Sequence, residues 1–118
     1  MAWPPRLEVA PLQEAAAFLQ RYTQPDDRIL TFNVHFAVEA GRRVLPGFEM
    51  SIFAYQPTWP TARAERFRVL NNELLFAALD AHPAAVAVTE YDLELLGGAR
   101  EPFLEAVHGR LRWAKTTP

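Results

Sequence analysis

Apolar residues recur along the chain at the spacing of three to four residues that places them on one face of a helix. This pattern predicts helices over 11–22, 34–40, 61–81 and 102–108, and a helical turn over 92–96. Pro11 and Pro102 suit the first position of a helix, and Gly41 suits the left-handed residue that follows one. The longest helix is expected to end before Pro83, since proline cannot continue it.

Short runs of β-branched and other apolar residues between these helices predict strands over 29–32, 44–45, 84–89 and 111–116. The run 84–89 shows no alternation, which is typical of a strand covered on both faces, so we expect it at the centre of the sheet. Segment 48–55 alternates but has aromatic residues on both faces, and a strand and an irregular segment are both compatible with it. Strands that alternate with helices predict a small three-layer α/β fold with a mostly parallel sheet, Rossmann-like but without a nucleotide motif.

Length and composition limit the functions that are open to this protein. The 118 residues fit one domain, residues 1–118, of which 1–10 are expected to be flexible. Without cysteine there is no thiol nucleophile, iron–sulfur cluster or disulfide, and a net charge of -2 argues against nucleic acid as a partner. No segment resembles a signal peptide or reaches the length needed to span a bilayer. We therefore expect a soluble chain, cytoplasmic when it is expressed alone.

Polar residues follow two of the predicted strands. Asn33 and His35 come after the first strand, and Glu90, Tyr91 and Asp92 come after the central one. In a parallel sheet, ligands bind beyond the carboxyl ends of the strands, so neighbouring strands would bring these groups to one edge. One interpretation is an acid/base site. The other is that the asparagine and the aspartate cap the helices that follow them, as such side chains commonly do.

His35 and Glu39 lie one helical turn apart, a spacing that suits a divalent metal if Glu49 or Asp92 supplies a third ligand. An ordinary surface contact explains the same spacing, and the sequence predicts no metal and no cofactor. A phosphate-binding glycine loop is absent, and the single serine, Ser51, lacks the flanking glycines of a nucleophile elbow. The sequence therefore designates no catalytic residue. Its candidate binding residues are Asn33, His35, Glu39, Glu49 and Asp92.

Arginine and aromatic side chains cluster in the middle of the chain. Arg63, Arg66 and Arg68 are compatible with contact to phosphate or to an anionic lipid surface, and equally with a solvated helix face. The aromatic residues of the preceding loop suit a sugar platform, a membrane-interface anchor or simple core packing, and they are Phe53, Tyr55 and Trp59.

Six segments resemble the soluble C-terminal region of polyprenyl-phosphate-sugar-dependent membrane glycosyltransferases, which include protein mannosyltransferases and aminoarabinose transferases. They are ILTFN at 29–33, AVEAGR at 37–42, LPGFEMS at 45–51, RVLNNELL at 68–75, VAVTEYDL at 86–93 and KTTP at 115–118. The similarity extends over the chain from about Leu12 and includes no catalytic signature.

The resemblance implies a non-catalytic module or fragment with a structural role or a role in binding an acceptor or a sugar. In that family the reaction takes place at an acidic residue in a loop between membrane helices, on the extracytoplasmic face. Neither the membrane helices nor the acidic loop is present in this sequence. The implied partners are the membrane portion of a glycosyltransferase and a glycan or lipid-linked sugar. The family continues beyond the position of Pro118, so an edge of the sheet is expected to be missing.

Two alternatives come from other functional classes. One is a small acid/base enzyme that uses His35 with Glu39, Glu49 or Asp92. The other is an interaction domain that forms a homodimer through an edge strand, for which the last strand, 111–116, is the expected candidate.

Overall fold

The computed structural model describes residues 6–45, 48, 55–81, 83–109 and 111–116, and it confirms the predicted α/β class. The described strands form one parallel sheet and are β1 (Arg6–Ala10), β2 (Arg28–Thr31), β3 (Arg43–Val44), β4 (Ala85–Thr89) and β5 (Trp113–Thr116). The helices are α1 (Leu12–Tyr22), α2 (Val34–Ala40), α3 (Thr61–Arg66), α4 (Asn72–Asp80), α5 (Glu90–Leu96) and α6 (Arg100–His108). A 3₁₀ turn, Gly97–Ala99, joins α5 to α6. Among the described residues, no helix is both long enough and apolar enough to span a membrane.

The strand order across the sheet is β1-β5-β4-β2-β3. From β2 the chain first moves outward to β3 and then returns to β4 on the other side of β2. The direction of winding therefore reverses between β2 and β4. Such a reversal is the topological switch point at which α/β proteins usually bind ligands.

The two faces of the sheet are packed with side chains of different size. On one face α1 and α2 cover Ile29 and the alanines of the central strands, Ala85, Ala87 and Ala114. On the other face α4, α5 and α6 cover larger residues, Leu30, Val86, Val88 and Trp113. The small side chains leave room for α1 and α2 to lie close to the sheet, and the larger ones fill the thicker opposite layer.

β4 has the central position that its uniformly apolar sequence predicts. Every one of its residues is buried, and it pairs with β2 on one side and β5 on the other. The end of α2 also agrees with the sequence: Gly41 has φ 66° and its amide donates to carbonyls of α2. Arg42 then fixes this corner, because its guanidinium donates to the Thr23 side chain and to the carbonyl of Ala40.

The prediction of one helix over 61–81 is wrong. α3 ends at Arg66, Arg68 has φ 56°, and Leu70 forms an isolated parallel bridge with Tyr55. The second helix, α4, begins after Asn71, whose side chain accepts a hydrogen bond from the Leu74 amide at 2.9 Å. A left-handed residue and a new N-cap thus divide the predicted helix into two. Likewise α6 begins two residues before Pro102, which is its third residue and not its first.

The edges of the sheet differ from the expectation. Residues 6–10, expected within a flexible segment, form β1, which pairs with β5. The prediction that the last strand is an unpaired edge is also wrong, because β5 pairs with β1 on one side and with β4 on the other. In the described sheet the outer strands are β1 and β3, so a homodimer through an edge strand stays a prediction that would have to use one of these.

Candidate functional site

The polar residues after β2 and β4 follow strands that end at the same edge of the sheet, the switch point. β2 and β4 are adjacent parallel strands in which Thr31 pairs with Ala87, so their carboxyl ends lie at one edge of the sheet. α2 and α5 begin at this edge and pack on opposite faces. The predicted juxtaposition of Asn33 and His35 with the residues after the central strand therefore follows from the strand order.

Asn33 is a helix cap. Its side-chain oxygen accepts a hydrogen bond from the His35 amide at 3.0 Å, and its own amide donates to the Thr31 hydroxyl at 3.2 Å. These bonds satisfy amides that would otherwise lack partners at the start of α2. The capping interpretation of Asn33 thus agrees with the structure, and the imidazole of His35 is exposed.

Asp92 was predicted to cap a helix that follows it, but the helix begins two residues earlier and the N-cap is Thr89; Asp92 is the buried third residue of α5. Its Oδ2 accepts a hydrogen bond from the Thr89 amide, and the Thr89 hydroxyl accepts one from the Asp92 amide, both at 3.0 Å. This reciprocal pair is a capping box at the start of α5. Burial raises the pKa of the Asp92 carboxyl, and the hydrogen bonds from Thr89 partly oppose that rise.

The crevice between β2 and α5 is a narrow slot. Its empty volume is about 160 Å³, and the side chains that line it are Phe32, Tyr55, Asp92, Leu95 and Leu96. The space between these side chains does not admit even a water-sized sphere, whereas pockets that enclose small molecules are usually at least about 300 Å³, so the slot cannot enclose a sugar or a nucleotide. Aromatic rings fill the space beneath it: Phe32 lies 5.4 Å from Phe48 and 5.9 Å from Tyr55 between ring centroids.

Tyr55 lines the slot and is held by a hydrogen bond to α4. Its hydroxyl donates a hydrogen bond to the side-chain oxygen of Asn72 in α4, and burial raises its pKa despite that bond. A neutral phenol that is already bonded to a neighbouring amide is suited to packing and positioning. Tyr55, one of the three aromatic residues considered for a sugar platform, is therefore a buried structural residue.

A charged cluster next to the slot was not predicted. Glu90, the first residue of α5, accepts ion-pair contacts from Arg100 Nη2 and Lys115 Nζ, each at 2.7 Å. Lys115 and Arg100 together lower the pKa of Glu90 through these hydrogen bonds. The three residues belong to α5, α6 and β5, so only the tertiary structure brings them together.

Replacing Glu90 by glutamine should reduce the loss of stability in acid. The pKa of Glu90 is lower in the folded chain than its ordinary value of 4.5, so its contribution is present above pH 4.5 and is lost as the pH falls through the folded value. We expect a small effect because the side chain is 39% exposed. Urea unfolding of wild type and Glu90→Gln between neutral and acidic pH measures it. Parallel pH profiles for the two proteins would contradict the expectation.

The remaining predicted residues are not assembled into a site. His35 and Glu39 are both exposed on α2, and no hydrogen bond or ion pair joins the His35 side chain to a carboxylate in the described part of the chain. The described residues also contain no group of three or more histidine and carboxylate side chains able to hold a metal ion. Glu49 lies outside the described residues.

The arginine and aromatic residues of the middle segment form a separate surface on and beside α3. The Arg63 guanidinium lies 4.2 Å above the centroid of the Trp59 ring, and that ring meets Phe67 edge-on at 5.8 Å. Phe53 of the predicted platform lies outside the described residues.

Comparison with known proteins identifies no relative. The chain matches no model of a protein family, no curated protein and no solved structure. Arguments about function therefore depend on the site itself and on the sequence resemblance.

Proposed function

We propose that this chain is a non-catalytic module that binds a sugar-containing ligand, either an acceptor glycan or a lipid-linked sugar, at the switch-point edge between β2 and β4. The observation that supports it is that the crevice is filled by side chains. The slot has no room for a water-sized sphere, and its carboxylate, Asp92, is already committed to a capping box. A filled crevice favours contact with a ligand across the edge over chemistry in an enclosed, water-excluding cavity.

The rim of the slot has the groups that sugar recognition uses. Tyr91 is 50% exposed and Leu95 is 43% exposed, so α5 presents an aromatic ring and an apolar side chain to solvent. Arg100 of α6 and Lys115 of β5 supply N–H donors at the start of α5, where both contact Glu90. Sugars pack their apolar faces on aromatic rings and bond their hydroxyls to charged and amide groups, which is the combination present here.

The resemblance to the soluble domain of membrane glycosyltransferases supports a sugar as the ligand class. If the chain works beside the membrane portion of such a transferase, it does so on the extracytoplasmic face, and the transferase supplies the reaction. This module would then orient or retain the acceptor. The implied division of labour is testable, since the chain alone should bind but not convert its ligand.

Incubation of the purified chain with a polyprenyl-phosphate sugar and an acceptor peptide or glycan tests the absence of catalysis. We expect no sugar transfer and no hydrolysis of the donor above the rate without protein. Turnover that disappears in Asp92→Asn would instead support the second candidate, an acid/base enzyme. The observation that favours that candidate is the buried carboxyl with a raised pKa beside the slot.

Replacing Tyr91 by alanine should weaken sugar binding by about fivefold, because an exposed ring that stacks on a sugar contributes about 1 kcal/mol. NMR titration with oligosaccharides and with a water-soluble lipid-linked sugar analogue measures the affinity and locates the perturbed amides. Val38→Ala is the control, since Val38 is an apolar residue that is 74% exposed on α2. Equal weakening in both variants, or perturbations confined to residues away from the edge, would refute the proposed site.

A further inference from the structure

We infer that the surface formed by Trp59, Arg63, Arg66 and Phe67, here called the α3 patch, binds an anionic membrane surface. Phe67 is 56% exposed and has no polar group to offer water. Two arginines flank it: Arg66 lies over its ring at 5.6 Å, and Arg63 lies over Trp59. An exposed phenylalanine ring and a half-buried tryptophan ring beside arginines match the two parts of a lipid interface, the acyl boundary and the phosphate headgroups.

The charge of the α3 patch is opposite to that of the whole protein. Residues 59–68 contain Arg63, Arg66 and Arg68 against one carboxylate, Glu65, so the segment has a local charge of about +2 in a chain of net charge -2. An anionic surface attracts this segment and repels the acidic remainder. The protein would therefore dock in one orientation, with α3 toward the lipid.

The shape of the patch favours an extended surface over a single phosphate. The depression beside α3 is broad and open, and its lining residues are Ala62, Arg63, Arg66 and Phe67. Each guanidinium lies over its own aromatic ring, so each charge lies directly beside apolar surface.

The backbone holds the patch firmly. The Trp59 carbonyl accepts a hydrogen bond from the Asn71 side chain at 3.1 Å, and the Trp59 amide donates to Gln56. Phe67 donates its amide to Arg63 at the end of α3, immediately before the left-handed Arg68. The rings are thus presented at a fixed site where the predicted long helix is interrupted, which gives that interruption a functional consequence.

Sedimentation with lipid vesicles tests the proposal on the full chain. We expect binding to vesicles that contain phosphatidylglycerol, weaker binding in high salt, and little binding to pure phosphatidylcholine. Arg63→Gln/Arg66→Gln should weaken binding about 25-fold, at about fivefold for each arginine near a charged surface. Arg21→Gln/Arg43→Gln removes the same charge from exposed residues of α1 and β3 and should have a much smaller effect.

A second pair of variants tests the aromatic part. Phe67→Ser should weaken binding to anionic vesicles, whereas Val38→Ser, at an even more exposed apolar residue, should not. Equal binding to neutral and anionic vesicles, or equal effects of the two arginine pairs, would overturn the proposal. It would also be overturned if polyglutamate or inorganic phosphate bound through Arg63 and Arg66 while vesicles did not. The α3 patch shares no residue with the proposed sugar site, so Tyr91→Ala should leave vesicle binding unchanged.

Discussion

Replacing Phe32 by alanine should lower the free energy of unfolding by about 3–4 kcal/mol, one of the largest effects of any single change in this chain. Phe32 is 2% exposed and its ring contacts those of Phe48 and Tyr55 beneath the switch point. Truncation removes its buried apolar surface and both ring contacts, and leaves a cavity continuous with the slot. Urea unfolding at neutral pH measures the change.

A matched variant separates lost volume from lost contact. Phe32→Leu keeps most of the apolar volume, so it should cost clearly less than the alanine variant. The cavity in Phe32→Ala should also accept a small apolar molecule, so saturating benzene should raise its melting temperature but not that of the wild type. A loss below about 1 kcal/mol, or no response to benzene, would show that the aromatic cluster does not support the edge as described.

Some parts of the fold could be predicted from local sequence, and others could not. The central position of β4 and the left-handed conformation of Gly41 could be predicted locally. An unbroken run of small apolar residues indicates a buried central strand, and a glycine after a helix indicates its left-handed end. The break between α3 and α4 could not be predicted in this way, because Leu70 and Leu74 continue the apolar stripe of the preceding residues. Arg68 has a positive φ at a residue type that rarely adopts one. Asn71 was the available indication of a new helix start.

Pairing at the edges of the sheet is a matter of long-range contact. Leu7 and Val9 alternate with polar residues between Pro5 and Pro11, which is a short strand pattern, but its partner β5 lies more than a hundred residues further along the chain. A local pattern cannot state which strand is its neighbour. The prediction of an unpaired last strand was wrong for this reason, since β1 occupies the position beside β5.

The candidate site also contains some contacts that follow from local sequence and others that depend on the fold. Thr89 and Asp92 have the spacing of a capping box, so their mutual hydrogen bonds follow from the sequence. The ion pairs of Glu90 with Arg100 and Lys115 join three elements and depend on the strand order. The capping role of Asn33 was therefore predicted as it stands, whereas the N-cap of α5 is Thr89 and not the predicted Asp92, and the charged cluster became apparent only from the fold.

Replacing Asp92 by alanine should cost about 2 kcal/mol, whereas replacement by asparagine should cost little at neutral pH. Alanine removes the acceptor for the Thr89 amide and leaves a buried N–H without a partner. Asparagine retains an oxygen in the same place and removes a charge that burial disfavours. Urea unfolding of the three proteins at pH 7 measures both differences.

The pH dependence of the same three proteins tests the carboxyl itself. Because burial raises the pKa of Asp92 above its ordinary value of 3.8, the folded chain binds this proton more tightly than the unfolded chain. The contribution of Asp92 to stability is therefore fully present below pH 3.8 and is lost as the pH rises through the folded value. Wild type should gain stability relative to Asp92→Asn as the pH falls from 7, until the difference levels off near pH 3.8. A constant difference across this range would mean that the pKa of the carboxyl is the same in the folded and unfolded chains, and the slot would then lack the buried acid on which the acid/base alternative depends.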